Sequence, residues 1–198
     1  MLDKVQRRMT PEQFYAWQEA MDERYELVDG YPVKMMTGAS RRHDQIVVNI
    51  LTLFGNQLRG TDCRPFTADT VVTTRGDTRR RPDMGVECGP LRDADYSSNQ
   101  PKLVVEVLSP STREFDLFNK IAEYKSMDSL DYILFIEPHQ PQIFLWSRDG
   151  DRVWSDSLTE GLDSIVEIPG LGVRLKLGDV YDGLGFRPAP KLVDGGKS

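Results

Sequence analysis

The stretch KLVVEVLS, residues 102–109, decides the fold class. Apart from Glu106 it is a nearly continuous apolar run rich in β-branched residues, which is typical of a strand buried on both faces of a sheet. Burying an unpaired ionised carboxylate is costly, so Glu106 needs a partner cation, a bound metal ion, or a strand end that opens to solvent. A salt bridge to an arginine or lysine explains this glutamate as well as a metal ion does.

A second carboxylate stands at the entry to another predicted strand. In RRRPDMGVEC, residues 79–88, Asp83 directly follows a proline that cannot extend a ladder. Aspartate is common at such turns because it makes local hydrogen bonds, which is the simpler explanation of this residue. If the two strands are neighbours, however, Asp83 and Glu106 converge at one edge and offer the hard oxygen ligands that Mg²⁺ or Mn²⁺ prefers.

Lys120 is the third candidate for this site. It follows Asp116 by four residues in a helix that caps and periodicity predict from Ser111 to about Met127. The helical rotation of about 100° per residue places Lys120 at the border of the apolar face, from which it can lean inward. Its ammonium would then stabilise a developing phosphate charge or orient a water molecule. An ordinary i,i+4 pair with Asp116 is the alternative.

The other segments predict an α/β domain that covers residues 1–187, followed by a flexible tail over 188–198. An N-cap threonine begins a helix at Thr10 that runs to about Asp22 and buries Phe14, Trp17 and Met21. Asp29-Gly30 predicts a tight hairpin turn. Apolar residues at helical spacing predict a long amphipathic helix over 40–60. Further strands are predicted in TADTVVTT (67–74), DYILFIEP (131–138), QIFLWSR (142–148), RVWSDSL (152–158) and GVRLKL (172–177).

Length and charge limit the kinds of function. The 198 residues suit one domain, and the net charge of -6 repels a polyanion, so any contact with nucleic acid must be local. Arg41-Arg42 and Arg79-Arg80-Arg81 are candidate local patches, although such runs are as often solvated loop surface. Apolar runs are too short to cross a bilayer and no signal peptide begins the sequence, so we expect a cytoplasmic protein with no membrane partner. Two cysteines are too few for a disulfide framework, which fits a reducing compartment, and no zinc site is expected.

Together these motifs resemble the PD-(D/E)XK nuclease superfamily and, within it, the bacterial Uma-two family of restriction-endonuclease-like proteins. The resemblance covers roughly residues 10–181. No single motif is specific, but their order and spacing are. They are TPEQFYAW, RYELVDGYPVKMM, the region of His43, RRPDMGV, PKLVVEVLSPST, the D-x-x-x-K of Asp116 and Lys120 with Tyr124, and DYILFIEP.

The resemblance implies a restriction-endonuclease-like fold, in which a central mixed β-sheet is flanked by helices and preceded by an N-terminal helix and β-hairpin. It implies that Asp83 and Glu106 bind Mg²⁺ or Mn²⁺ and that Lys120 is the catalytic lysine. Glu26 is implied to complete the site from the N-terminal part. One departure from the superfamily pattern is Leu108, which stands where most members have the lysine, so Lys120 must act from the helix instead.

These assignments predict a metal-dependent endonuclease, with DNA as the expected substrate and a homodimer as the expected assembly. Arg80, Arg81 and Arg113 are expected to contact backbone phosphates. His43 is expected to contact a phosphate or to support the site, although a lone histidine is more often a capping or surface residue. A nucleic-acid-binding or interaction module that has kept the fold without turnover is the main alternative, and a hydrolase of smaller phosphodiesters is a third.

Overall fold

The computed structural model describes residues 7–35, 40–91, 96–98, 100–109 and 119–186. Within these ranges the α-helices are α1 (Pro11–Gln18), α2 (Arg41–Gln57), α3 (Ile121–Lys125) and α4 (Leu177–Val180), and a 3₁₀ turn covers Pro169–Leu171. The strands are β1 (Tyr25–Val28), β2 (Tyr31–Lys34), β3 (Cys63–Thr67), β4 (Val71–Thr73), β5 (Arg79–Arg80), β6 (Met84–Cys88), β7 (Ser97–Ser98), β8 (Pro101–Val107), β9 (Tyr132–Glu137), β10 (Gln142–Arg148), β11 (Trp154–Glu160), β12 (Ile165–Ile168) and β13 (Val173–Lys176).

A six-stranded mixed sheet forms the centre of the fold, in the order β11-β10-β9-β8-β6-β3. The β8–β9 pair is parallel and the other pairs in this sheet are antiparallel. β8 therefore has a strand on each side, and its residues Leu103, Val104 and Val105 are fully buried. This position explains why the strand reads as a continuous apolar run.

Helices cover both faces of this sheet. Ile46, Ile50 and Phe54 of α2 recur at helical spacing and are fully buried against one face, where the β12–β13 hairpin and α4 complete the core. On the other face, Tyr124 of α3 packs with Val104 and with residues of β9. The predicted central mixed sheet with flanking helices is confirmed.

The N-terminal part adds a second, five-stranded sheet in the order β2-β1-β5-β4-β7. The predicted hairpin is confirmed, since Asp29 and Gly30 have φ values of 50° and 84° between the paired strands β1 and β2. The predicted capping box at Thr10 is also present. Helix α1 is shorter than predicted, however. It ends at Gln18 because the Gln18 side chain binds the backbone of Glu23 and Tyr25 and turns the chain, which leaves Met21 exposed.

The two cysteines form a disulfide, which the sequence did not predict. Cys63 and Cys88 are opposite residues of the antiparallel strands β3 and β6, and they form a disulfide. Their separation of 25 residues in the sequence hides this proximity, because only the strand pairing brings them together.

Two expectations remain, one for the tail of the chain and one for membrane-spanning helices. The predicted flexible tail over 188–198 lies outside the described residues. No helix among the described residues is long and apolar enough to span a bilayer.

Candidate active site

Asp83 and Glu106 meet at one edge of the central sheet. β6 and β8 are antiparallel with Met84 opposite Val105, so Asp83, immediately before β6, lies beside the carboxyl end of β8. The backbone N–H of Val107 donates a hydrogen bond of 2.7 Å to Asp83 Oδ2. This bond places Asp83 Oδ2 within about 5 Å of the Glu106 Cα atom. The predicted adjacency of the two strands is therefore present.

The Glu106 carboxylate is buried and bound by two side chains. Its neighbours in the sequence, Val105 and Val107, face the core beneath α2, so Glu106 faces α3 on the other side. Glu106 Oε1 accepts hydrogen bonds from Lys120 Nζ at 2.9 Å and from the Tyr124 hydroxyl at 2.7 Å. Burial, together with the negative charge of Glu106, raises the pKa of Tyr124 well above its ordinary value, so the phenol stays a neutral donor.

Lys120 directly precedes α3, and its side chain points into the protein. It is 8% exposed, and its Nζ atom lies 3.8 Å from Glu26 Oε1 in addition to its contact with Glu106. The ammonium thus lies between two carboxylates that come from β1 and β8. Asp116, the alternative partner considered from the sequence, lies outside the described residues.

His43 approaches Asp83 from the first turn of α2. Its Nε2 atom lies 3.2 Å from Asp83 Oδ2, and both side chains are partly exposed. Burial alone lowers the pKa of a histidine, but the hydrogen bond with Asp83 and the charges of Asp83 and Glu106 outweigh it, so the pKa of His43 is raised. His43 therefore supports the Asp83 carboxylate, together with the Val107 N–H.

Glu26 is buried in β1 behind Lys120. Its Oε1 atom accepts a hydrogen bond of 3.0 Å from the Arg81 N–H, and its Oε2 atom lies 2.9 Å from Arg80 Nη1. Burial raises the pKa of a carboxyl group, but the charges of Lys120 and Arg80 prevail, so the pKa of Glu26 is lowered. Glu26 is thus an ionised partner of two cations.

The expected phosphate contact of Arg80 is wrong. Its side chain is 1% exposed, and its guanidinium binds Glu123 through Nε at 2.7 Å and Nη2 at 2.6 Å while it also binds Glu26. Burial lowers the pKa of an arginine, but the hydrogen bond with Glu123 and the charges of Glu26 and Glu123 raise that of Arg80. A guanidinium enclosed in this way is not accessible to a nucleic-acid backbone.

The phosphate contacts expected of Arg81 and Arg113 stay predictions. Arg81 is half-buried, and its guanidinium donates to the backbone carbonyls of Tyr25, Ala68 and Asp69. Arg113 lies outside the described residues.

The donor set at the sheet edge fits a hard divalent cation. Among the described residues there is no cluster of three or more histidine, cysteine, aspartate or glutamate residues arranged to hold a metal ion. Mg²⁺ does not need one, because it commonly binds one or two protein carboxylates and completes its shell with water and substrate phosphate. The Asp83 side chain is 22% exposed, and its Oδ1 atom accepts no hydrogen bond from the described residues.

Two participants were not assigned a role from the sequence, Glu123 and Tyr124. Together with Lys120 they stand at positions i, i+3 and i+4, which share one face of a helix. Tyr124 was visible as part of a motif, but no local pattern marked Glu123, whose partner Arg80 is 43 residues away.

Comparisons with known proteins agree with this architecture. A crystal structure from Anabaena variabilis, described as a putative nuclease belonging to DUF820, is similar with a TM-score of 0.69 and 16% sequence identity. The similarity covers 87% of this chain and 97% of that one, and it confirms the predicted fold class.

Sequence relatives cover nearly the same length. The uncharacterized protein slr1290 of Synechocystis sp. is 32% identical over 183 residues, which is 90% of this chain and 94% of the relative. A second uncharacterized Synechocystis protein, sll1609, is 25% identical over 164 residues, or 81% of this chain and 91% of the relative. Residues 11–178 match the Uma2 family, whose description is "putative restriction endonuclease". The chain therefore belongs to the Uma2 family, as its motifs predicted.

Proposed function

We propose that this protein is a metal-dependent endonuclease that hydrolyses phosphodiester bonds in DNA. The observation that carries the proposal is the meeting of Asp83, Glu106 and Lys120 at the carboxyl end of β8. Carboxylates that can share a hard cation, with an ammonium beside them, suit phosphodiester hydrolysis. Membership of a family described as "putative restriction endonuclease", and the shared fold of a neighbour described as a putative nuclease, support the same assignment.

Asp83 and Glu106 are the residues that would hold Mg²⁺ or Mn²⁺. When bound, such an ion polarises the phosphoryl group and lowers the pKa of a coordinated water. Both carboxylates are held by neighbouring groups, Asp83 by the Val107 N–H and His43, and Glu106 by Lys120 and Tyr124. Partners of this kind orient metal ligands, and their loss weakens metal binding.

Lys120 has the role of a positively charged group beside the reacting phosphate. This role is supported by the Nζ atom's hydrogen-bond contact with Glu106, which is one of the two proposed metal ligands. The ammonium neutralises negative charge as the phosphoryl group is attacked. Glu26 keeps this ammonium in place from the opposite side, at 3.8 Å, which is how we propose that it completes the site.

Local cations must provide the contacts with the DNA backbone, because the whole chain carries a net charge of -6. Arg81, Arg113 and His43 are the proposed contacts, and Arg80 is excluded by its burial. We also propose that the protein acts as a homodimer, which static light scattering of the purified protein tests.

Plasmid nicking tests the proposed reaction. The wild type is expected to convert supercoiled DNA to the open-circular form with Mg²⁺ or Mn²⁺ and not with EDTA. Asp83→Asn, Glu106→Gln and Lys120→Gln are each expected to reduce the rate by about 100-fold or more. Glu167→Gln is the matched control, because Glu167 is an exposed carboxylate of the β12–β13 hairpin that pairs with Arg174. Circular dichroism verifies that each variant is folded.

The alternative is a binding module that has lost turnover, which the acidic net charge favours. In that case the wild type binds DNA in a mobility-shift assay but cuts neither DNA nor RNA with either metal. Turnover of a chromogenic phosphodiester without cleavage of the polymer would instead indicate a hydrolase of small substrates. Metal-dependent cutting that survives in both carboxylate variants would refute the assigned site.

A further inference from the structure

A buried arginine joins three elements on one side of the site. Arg80 comes from β5, and its guanidinium binds Glu26 of β1 and Glu123 of α3. The contact with Glu123 uses two nitrogen atoms and both carboxylate oxygens, at 2.7 and 2.6 Å. All three side chains are at most 7% exposed. The charge pair is thus enclosed, and its geometry is fixed by two parallel hydrogen bonds.

The helix that Arg80 holds also carries the proposed catalytic lysine. Lys120 directly precedes α3, and Glu123 and Tyr124 follow at three and four residues. These three side chains share one helical face, and Lys120 and Tyr124 both reach the same oxygen of Glu106. A rotation of α3 that moves Glu123 away from Arg80 would therefore also move Lys120 away from Glu106.

Two arginines contact the described part of this helix. Residues 119–120 are π-helical and continue directly into α3, and Lys120 has helical backbone angles. At its carboxyl end, Arg148 donates hydrogen bonds to the carbonyls of Lys125, Met127 and Asp128. In the turn that carries Lys120, the two-pronged bond between Glu123 and Arg80 ties the helix to the five-stranded sheet.

We propose that Arg80 and Glu123 are positioning residues that set the orientation of α3 and thereby hold the Lys120 ammonium beside Glu106. The proposal rests on the function proposed for Lys120. Arg80 thus has a positioning role inside the protein instead of the contact with DNA that the sequence predicted. A buried ion pair is weak evidence of stability, because desolvation offsets most of its attraction, whereas its directional geometry is well suited to fixing one arrangement.

The test separates geometry from charge and from stability. Glu123→Asp keeps the carboxylate but withdraws it by one methylene, and Arg80→Lys keeps the charge but loses the planar fork. Glu123→Gln removes the charge with little change of shape. Val166→Ala is the control for stability, because Val166 is buried in β12 in the core beneath α2. Melting temperatures are recorded for all four variants.

Two readouts are measured. The first is kcat and KM for DNA nicking with Mg²⁺, and the second is the rate at which acetic anhydride modifies Lys120 in the metal-free protein, quantified by peptide mass spectrometry. All three variants at Arg80 and Glu123 are expected to lower kcat by about 100-fold at unchanged KM, because a displacement of the order of 1 Å has such an effect. They are also expected to acetylate Lys120 several times faster than the wild type. Val166→Ala lowers the melting temperature and leaves both readouts unchanged.

Two results overturn the proposal. One is that folded Glu123→Asp and Arg80→Lys keep the wild-type kcat and the slow acetylation of Lys120. The other is that Val166→Ala changes both readouts as much as they do. If the wild type cuts no DNA, the proposed function fails, but the acetylation rates still decide whether Arg80 and Glu123 position Lys120. If Glu123→Gln does not fold, the two charge-conserving variants decide the outcome.

Discussion

Arg80→Met is expected to destabilise the protein severely. Methionine retains much of the side-chain length but removes the guanidinium that lies between Glu26 and Glu123. Both glutamates stay buried, at 7% and 6% exposure. Lys120 remains 3.8 Å from Glu26, but among the described residues no second cation contacts Glu123. The substitution therefore leaves at least one enclosed carboxylate without a counter-charge.

Removing one partner of a buried pair costs about 3–5 kcal/mol, because the remaining charge is desolvated without compensation. A domain of this size has a free energy of unfolding of about 5–15 kcal/mol, so the loss is a large part of the total. Replacing an entire buried ionic cluster by uncharged groups is often neutral. The triple variant Glu26→Gln, Arg80→Met, Glu123→Gln is accordingly expected to recover most of the lost stability.

Urea denaturation at pH 7, followed by the fluorescence of the three tryptophans, measures these differences. The slope of the free energy against urea should be the same for all variants, which shows that the same surface unfolds. Arg174→Met is the matched control, because the ion pair of Arg174 with Glu167 is exposed and contributes at most about 1 kcal/mol. If Arg80→Met costs no more than this control, or if the triple variant is as unstable as the single one, the reasoning is refuted.

Three further predictions concern packing, pH and salt. Gly85→Ala in β6 is expected to cost about 1–3 kcal/mol in chemical denaturation, because the new methyl group would clash with the ring of Phe66, whereas Gly185→Ala meets nothing within 4 Å and should have no effect. Because the pKa of Glu26 is below its ordinary value of 4.5, its ionised form stabilises the protein above pH 4.5, and this contribution is lost as pH falls through the lower folded-state pKa. The difference in unfolding free energy between the wild type and Glu26→Gln should thus narrow below pH 4.5, and a constant difference would contradict this. The nicking rate at subsaturating DNA should fall by at least 10-fold between about 50 and 200 mM KCl if several phosphate contacts drive binding, and a flat profile would exclude them.

Much of the architecture could be predicted because it depends on local patterns. The apolar run around Glu106 predicted a central strand, and the spacing of Ile46, Ile50 and Phe54 predicted α2. The pair Asp29-Gly30 has the positive φ values that a tight turn requires. In each case the signal lies within a few residues of the sequence, because the conformational preference of the backbone and the burial of one face of an element depend on neighbouring residues.

The inner partners of the site could not be predicted in the same way. Arg80 belongs to a run of three arginines, and such runs are usually solvated, but in this fold Arg80 is paired with Val72 in a short strand and points into the interior. Glu123 resembles any charged residue of a surface helix. Its burial depends on a contact between residues 43 positions apart, which only the tertiary arrangement brings about. The disulfide of Cys63 and Cys88 was missed for the same reason.

The packing of the β12–β13 hairpin over α2 has a consequence for biosynthesis. Val166, Leu175 and Tyr181 pack with Ile46 and Phe54 in one core, and the Tyr181 hydroxyl bonds the backbone of β9. Ribosomes deliver the N-terminal part first, so α2 is made long before the hairpin that covers its apolar face. A nascent chain therefore exposes the apolar face of α2 until residues 165–181 have been synthesised, and chaperones that bind apolar helix faces have a binding site until then.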